Sequence, residues 1–426
     1  MRGEQDDMFA LIRRLFPICR SITGNGVRET LRIMREQIPL EIHEVPSGTK
    51  VFDWIVPDEW NIEDAWISRT NGEAVVDFKK LNLHVVSYST PIESTVSLEE
   101  LRKHVYTLPD HPDWVPYRTS YYKRDWGFCM AHKQLQSLQD REYRVSIQSS
   151  LAPGSLTYGE LYLPGRRPEE VLISCHICHP SLCNDNLSGI ALAVSLAKRL
   201  QQLELEYSYR FLFIPGTIGS ITWLALNSAK ARDIRHGLVV TGVGGPGNPT
   251  YKKSRRGNAE IDRAAEHILG HAGAHTILEF TPYGYDERQY CSPGFDLAVG
   301  SLTRMPHATY PEYHTSADNL DFVKAEFLSL SLALYADVIG LIERNKTYLN
   351  QNPFCEPQLG KRGLYRSIGG DIDVKALEFA MLWVLNLSDG KHDLLAIAER
   401  SGLPFQTISA VSDQLRDAGL LTETDK

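Results

Sequence analysis

Little in this 426-residue chain ties it to a membrane, a nucleic acid or an oxidising compartment. No apolar run reaches the ~18 residues that a bilayer span needs. The opening stretch MRGEQDDMFALIRRLF is charged and amphipathic, with neither the apolar run nor the small-residue cleavage site of a secretory leader. Excess basic charge is missing too: 45 Lys and Arg face 53 Asp and Glu, a formal net charge of −8. That balance argues against a nucleic-acid partner. The seven cysteines are odd in number, and three of them, Cys175, Cys178 and Cys183, crowd one segment. This is no disulfide framework; it predicts free thiols and a cytoplasmic setting. Cys175 and Cys178 lack a second cysteine pair and hold His176 between them, which argues against a redox or zinc-knuckle pair. Ser181 and Ser188 lack the Gly-x-Ser-x-Gly elbow of a serine hydrolase. The glycine-rich run 242–247 has no helix directly after it, and Lys253-Ser254 comes too late to complete a phosphate loop. The short basic run 252–256 reads as a solvated loop.

The length calls for two or three domains. Residues 8–38 carry apolar side chains at helical spacing (Phe9, Ile12, Leu15 and Phe16, then Val27, Leu31, Ile33 and Met34), and the glycine-bearing run 21–26 breaks them into two helices. From about residue 41 to 163, short β-prone runs alternate with Pro, Asp, Asn and Gly. Trp54, Trp60, Trp66, Trp114, Tyr117, Tyr121, Tyr122 and Trp126 are dense there and predict a small aromatic core rather than a base-stacking platform. Further on, strands at 156–162, 170–174, 209–214, 237–241, 276–279 and 297–301 alternate with helices at 188–202, 220–228, 258–270 and 325–343. This pattern predicts an α/β fold, a mostly parallel sheet flanked by helices, with an inserted β-rich domain. A polar connector over 345–373 leads to helices at 374–387, 393–401 and 404–419 and a short strand from Leu420, the layout of a winged helix. Its third helix carries Arg416 as its one base, against Asp413 and Asp417, so the module is expected to serve packing or dimerisation in a homo-oligomer rather than DNA reading.

Two segments pair histidine with aspartate just beyond apolar runs. In residues 175–189 (CHICHPSLCNDNLSG), His176, His179 and Asp185 follow the buried-strand pattern Val171-Leu172-Ile173-Ser174, and Ser188-Gly189 opens an apolar helix. Residues 313–321 (YHTSADNLD) hold His314, Asp318 and Asp321. Ligand sites in α/β proteins lie beyond the carboxyl ends of parallel strands. Imidazole with carboxylate suits Zn²⁺.

Residues 171–189 resemble the zinc aminopeptidases with two co-catalytic zincs, a class that includes glutamate carboxypeptidase-like enzymes. The resemblance implies that Asp185 bridges metal ions, that His176 is a ligand, with His179 competing for that role, and that His314 is the last ligand. Cys178 stands where that class has an aspartate orienting the histidine. Asp318 or Asp321 would orient His314 or cap the next helix. More closely, nearly the whole chain resembles an aminopeptidase-like family with an inserted β domain and a C-terminal winged helix, through residues 178–181, 215–220, 241–245, 286–294 and 310–314. The domains implied are 1–45 with 141–345 for the aminopeptidase-like part, 46–140 for the inserted β-rich part and 346–426 for the winged helix-turn-helix.

Two positions depart from this pattern. Where the class has a general-base glutamate and a ligand glutamate, this chain has Gly216 and Thr217; where an aspartate ligand is expected, it has Gly245. A catalytic zinc takes about three protein donors, which a histidine, Asp185 and His314 can supply to one ion. One zinc is therefore expected. Asp286 and Glu287 are the nearest replacements for the missing base. Arg288, Gln289, Tyr290 and Tyr313 are candidates to bind substrate, and the bland alternative for residues 286–290 is a salt-bridged turn. The function expected is a zinc-dependent aminopeptidase-like hydrolase of a small peptide or amino-acid-derived amide with a free amino group. A mononuclear-zinc transferase or cyclase, or a non-catalytic binding protein, are the alternatives.

Overall fold

The computed structural model describes residues 2–364 and 372–424, with the side chains of Arg2 and of residues 372–375 set aside. Two compact units divide the chain, one of residues 1–257 with 278–332, the other of residues 258–277 with 333–426.

The first unit contributes seven strands to its main sheet: β1 (Glu41–Pro46), β2 (Ser155–Leu163), β3 (Glu170–His176), β4 (Ser208–Ile214), β5 (Ile234–Val240), β6 (Thr250–Lys252) and β7 (Val299–Thr303). They lie in the order β1-β2-β4-β3-β5-β7-β6. The four central strands are mutually parallel, while β1, β2 and β6 run antiparallel to their neighbours. The expected mostly parallel sheet is thus a mixed one. Every residue of β3 and β4 is buried, as strands covered on both faces require, which explains their continuous rather than alternating apolar pattern. Helices Ser188–Leu200 and Ile218–Leu226 follow β3 and β4.

The insert has its own antiparallel sheet, ordered Ala74–Asp77, Glu59–Arg69, Glu142–Ala152 and Ile92–Ser97. Glu142–Ala152 lies beyond the expected boundary at 140, yet ten of its residues pair with Glu59–Arg69. Ala65, Ile67, Phe128, Tyr143, Val145 and Ile147 form this lobe's core. Of the aromatics expected to form a small core, Trp126 packs against it, Trp60 is buried against the main sheet's core instead, and Trp54 and Tyr122, 41% and 55% exposed, face a cleft.

In the second unit, helices Ile372–Leu387, Leu394–Ser401 and Phe405–Asp417 stand with a sheet ordered Asp389–Asp393, Thr347–Asn350 and Leu421–Glu423. This is the winged helix. The connector expected over 345–373 instead begins with Thr347–Asn350, three of whose four residues are buried, as the central strand. Helix Glu260–Ala272, expected in the α/β part, belongs to this unit. His267 Nε2 accepts the Phe405 N–H at 3.0 Å, and Arg263 pairs with Glu399 at 2.6 Å. Arg416 pairs with Asp413 and Asp417.

One sequence expectation is modified by helix Ala325–Arg344. Among the described residues it is the one helix long and apolar enough to cross a bilayer by length and composition, with a mean hydropathy of 1.7. Leu328, Leu332, Tyr335, Val338, Ile339 and Ile342 are buried in the protein, as in a core helix.

Candidate metal centre

His176 is the last residue of β3, and Asp185 sits in an irregular turn at the start of helix Ser188–Leu200. Asp318 locks that turn. Its Oδ1 accepts the Asn184 N–H at 2.6 Å and its Oδ2 the Asp185 N–H at 2.9 Å. Asp318 therefore holds the backbone of an acidic ligand candidate rather than the imidazole of His314. Burial pushes its carboxyl up to about 7, against the pull of those N–H groups. Asp321 is exposed. Asn186 adds a second clasp, donating to the Val240 carbonyl at 3.0 Å and accepting the Gly189 N–H at 3.2 Å.

Three histidines converge on Asp185. His176 Nε2 lies 2.9 Å from Oδ1, and His314 Nε2 and His179 Nε2 lie 3.0 and 3.6 Å from Oδ2. The ligand atoms of His176, His179 and Asp185 fall within 4.8 Å of one another. Asp185 is fully buried. Burial alone would raise its carboxyl, but His179, His176 and His314 together hold it well below the usual carboxylate range. Burial pulls His179 down to about 3, so its imidazole is neutral and free to donate a lone pair. Tyr313 stacks on His314 at 4.0 Å between ring centres. His314 is held by the insert, whose Tyr117 N–H donates to the His314 carbonyl at 2.8 Å. His314 has φ +55° and Thr217 φ +65°, left-handed backbone that ordinary residues adopt at a cost and that gathers at functional sites.

This donor set fits a divalent cation. Asp185 Oδ2 and His314 Nε2 are buried and face one another at 3.0 Å, but neither makes a well-directed hydrogen bond. Buried polar atoms that lack such a bond are costly. Two such atoms facing one another are relieved by an ion between them. Tetrahedral ligands at Zn–N and Zn–O lengths of ~2.0–2.1 Å sit about 3.3 Å apart, near the separations found here.

A cleft of about 350 Å³ opens over the centre, walled by Trp54, Tyr121, Tyr122, Tyr285 and Tyr313 and reaching Gly216, Thr217 and Asp286. Asp286 Oδ1 accepts the Thr217 N–H at 2.7 Å and the Ser220 hydroxyl at 3.1 Å, and burial raises its carboxyl. Glu287 is fully buried and pairs with Lys252 at 2.8 Å. That ion pair turns Glu287 away from the cleft. Arg288 donates to the Thr217 hydroxyl at 3.3 Å, and its Nε is buried without a partner. Gln289 is half-buried. Tyr290 does not reach the cleft: it is fully buried with its hydroxyl 2.9 Å from Ser174 Oγ on β3. Cys178 faces the cleft, accepts the Gly216 N–H at 3.2 Å, and has its thiol pushed up to about 12 by burial.

Sequence reasoning missed three residues here. Tyr285 stacks on His176, with centroids 5.4 Å apart. Met305 lies against Gly245, where an added Cβ would overlap its sulfur. Arg20, fully buried, donates to the His179 carbonyl at 2.9 Å, and burial pulls its guanidinium down to about 10, which leaves it charged at neutral pH. The polar run Arg20-Ser21-Ile22-Thr23 between two apolar helices was the available signal.

Known proteins share this architecture. A Clostridium acetobutylicum protein named as a polysaccharide biosynthesis protein with an aminopeptidase-like domain is 54% identical over 416 residues, 97% of this chain and 96% of its own length. A crystal structure of a C. acetobutylicum protein described as a peptidase matches 99% of this chain and 97% of its own, with 52% identity and TM-score 0.94. A zinc aminopeptidase from Bacillus subtilis matches 79% of this chain and 94% of its own, with TM-score 0.58 at 12% identity. An M28 peptidase precursor from Shewanella amazonensis matches 80% and 94%, with TM-score 0.54 and 12% identity. At that identity the last two show the fold, an aminopeptidase-like one. Residues 346–423 match a winged helix-turn-helix family. Residues 9–345 match the family described as a domain of unknown function, DUF4910, and the chain belongs to it.

Proposed function

We propose that this chain is a single-zinc hydrolase acting on an amide of a small peptide or amino-acid-derived substrate with a free amino group. The observation that carries the reading is the convergence of three imidazoles on the buried Asp185 carboxylate, with Oδ2 and His314 Nε2 facing at 3.0 Å without a well-directed hydrogen bond. His176 and His179 complete the donor set. A bound zinc would supply Lewis acidity at the amide carbonyl and lower the pKa of a water.

Asp286 is the general base this chain offers. Both side-chain hydrogen bonds fall on Oδ1, which leaves Oδ2 to take a proton at the cleft. It touches the residue after Gly216, so a carboxylate from a separate loop stands in for the one missing there. Its raised pKa moves it towards the pH at which a base works best. Tyr313 borders the substrate, Arg288 supports the cleft residue Thr217 through its hydroxyl, and the aromatic wall excludes water. That wall also favours a second reading, in which the substrate's own amine attacks and an amide is exchanged or cyclised rather than hydrolysed. The free thiols suit work in a reducing cytoplasm.

Metal analysis of the purified chain, with turnover of aminoacyl amides followed by product mass, tests this. An amino-sugar amide belongs in the panel, given the name of the Clostridium relative. One zinc per chain is expected, and Asp286→Asn should lower kcat by ~10²–10⁴-fold while the zinc stays. Two zincs would sink the single-ion reading. No zinc and no turnover would leave a non-catalytic binding protein.

A further inference from the structure

The loop between the first two helices buries a charge that the chemistry above does not use. Arg20 is fully buried, yet all its acceptors are neutral: the His179 carbonyl at 2.9 Å, the Leu15 carbonyl at 2.7 Å and the Thr30 hydroxyl at 3.4 Å. Its Nη2 is buried without a partner. Among the described residues no carboxylate pairs with it. A lone buried guanidinium is costly, and here it also places a positive charge beside a site for a cation.

His179 is the ligand candidate with the weakest hold of its own. It lies beyond the end of β3, in an irregular run where Ser181 takes φ +41°. Its Nδ1 faces only the Cys178 sulfur, at 3.6 Å. His176, by contrast, ends a strand paired on both edges. Apart from ring contacts with Tyr117, His176 and His314, the direction of the His179 ring is set by its backbone. That backbone is tied down by Arg20 at the His179 carbonyl and by the Ser181 hydroxyl, which donates to the Phe16 carbonyl at 2.7 Å.

We propose that Arg20 is a positioning residue of the cation centre: it fixes the carbonyl of His179 and so aims that imidazole at Asp185 Oδ2. The proposal rests on the metal reading given above. It makes a prediction of opposite sign to simple electrostatics. If only the charge of Arg20 mattered, its removal would tighten zinc binding; if its positioning matters, removal loosens it.

The test uses the full chain, a zinc-chelating dye in competition, and thermal unfolding with and without zinc. Arg20→Met should bind zinc ~10–100-fold more weakly, the range for losing a group that orients a ligand. Arg20→Lys should also weaken it, because an ammonium cannot span the three acceptors of a guanidinium fork. The zinc-induced rise in Tm should shrink in both. Thr30→Val leaves the bond to His179 in place and should bind zinc as the unaltered chain does. If Arg20→Met does not fold, the lysine and Thr30 variants decide. Unchanged or tighter zinc binding in a folded Arg20 variant overturns the proposal, as does equal weakening in Thr30→Val. If the unaltered chain binds no zinc, the metal reading falls and this proposal with it; if it does bind zinc, failure in the variants counts against Arg20 alone.

Discussion

A side chain added at Gly216 would meet Cys178 Sγ at 3.5 Å and His176 Cβ at 3.6 Å, ordinary contacts, beside the open cleft. One added at Gly245 would overlap the thioether of Met305 and lie 3.4 Å from Asn184 Nδ2. Both glycines stand where the resemblance to co-catalytic zinc enzymes calls for a carboxylate. At Gly216 the space was left open, and Asp286 reaches its neighbour Thr217 from another loop. At Gly245 the space was filled. Two glycines without that group thus differ: one position is open to a side chain and the other is closed.

The largest effect expected lies outside both glycines, at the aspartate they would have flanked. Asp185→Asn should cost more than ~100-fold in zinc affinity, above the range for orienting groups, as read by dye competition. A smaller loss would mean that the histidines hold the ion without it. Next comes Gly245→Asp. It should destabilise the chain by about 1–3 kcal/mol through overpacking and add no zinc; denaturant unfolding and metal analysis check both. Adding Met305→Ala should recover most of that loss, and a second bound zinc in this double variant would show that the thioether alone closes the position. Gly216→Glu should be milder, within about 1 kcal/mol, and should raise the turnover of Asp286→Asn if the two carboxylates are interchangeable. A stability loss as large as at Gly245 would erase the contrast.

The smallest effect is one of pH. Burial favours the neutral carboxyl of Asp286 in the folded chain. Its contribution to stability is complete at pH below the unfolded carboxyl value of 3.8 and fades as pH rises through the raised folded value. A base must be ionised, so turnover should rise over the window in which that stability fades. Asp286→Asn should abolish both trends; a turnover profile that keeps its acid limb in this variant would assign the limb to another group.

Much of the site was legible because its ligand candidates lie in compact motifs. His176, His179 and Asp185 sit within ten residues of one another, and His314 follows a recognisable tyrosine. The residues 286–290 were legible only as a motif. Asp286 looks into the cleft, Glu287 into a buried ion pair with Lys252 and Tyr290 into the core against Ser174. Neighbouring positions at the start of the short helix Glu287–Tyr290 point in different directions, and no alphabet of residue types says which direction is the cleft. Periodicity identified β2 as extended without fixing its sense and did not identify β6, so the antiparallel edges of the sheet were not visible.

By itself the amino-acid order determined the alternation of strand and helix, the donors capable of holding a metal, and the absence of acids at 216 and 245, because these depend on local pattern and side-chain chemistry. Only the tertiary structure decided that Asp286 takes up a place beside one glycine, that Met305 shuts the other, and that Arg20 lies under His179. Those outcomes depend on which loops come together in space, from positions separated by as many as 159 residues, and such proximity is set by the packing of the whole sheet and its helices rather than by any local run.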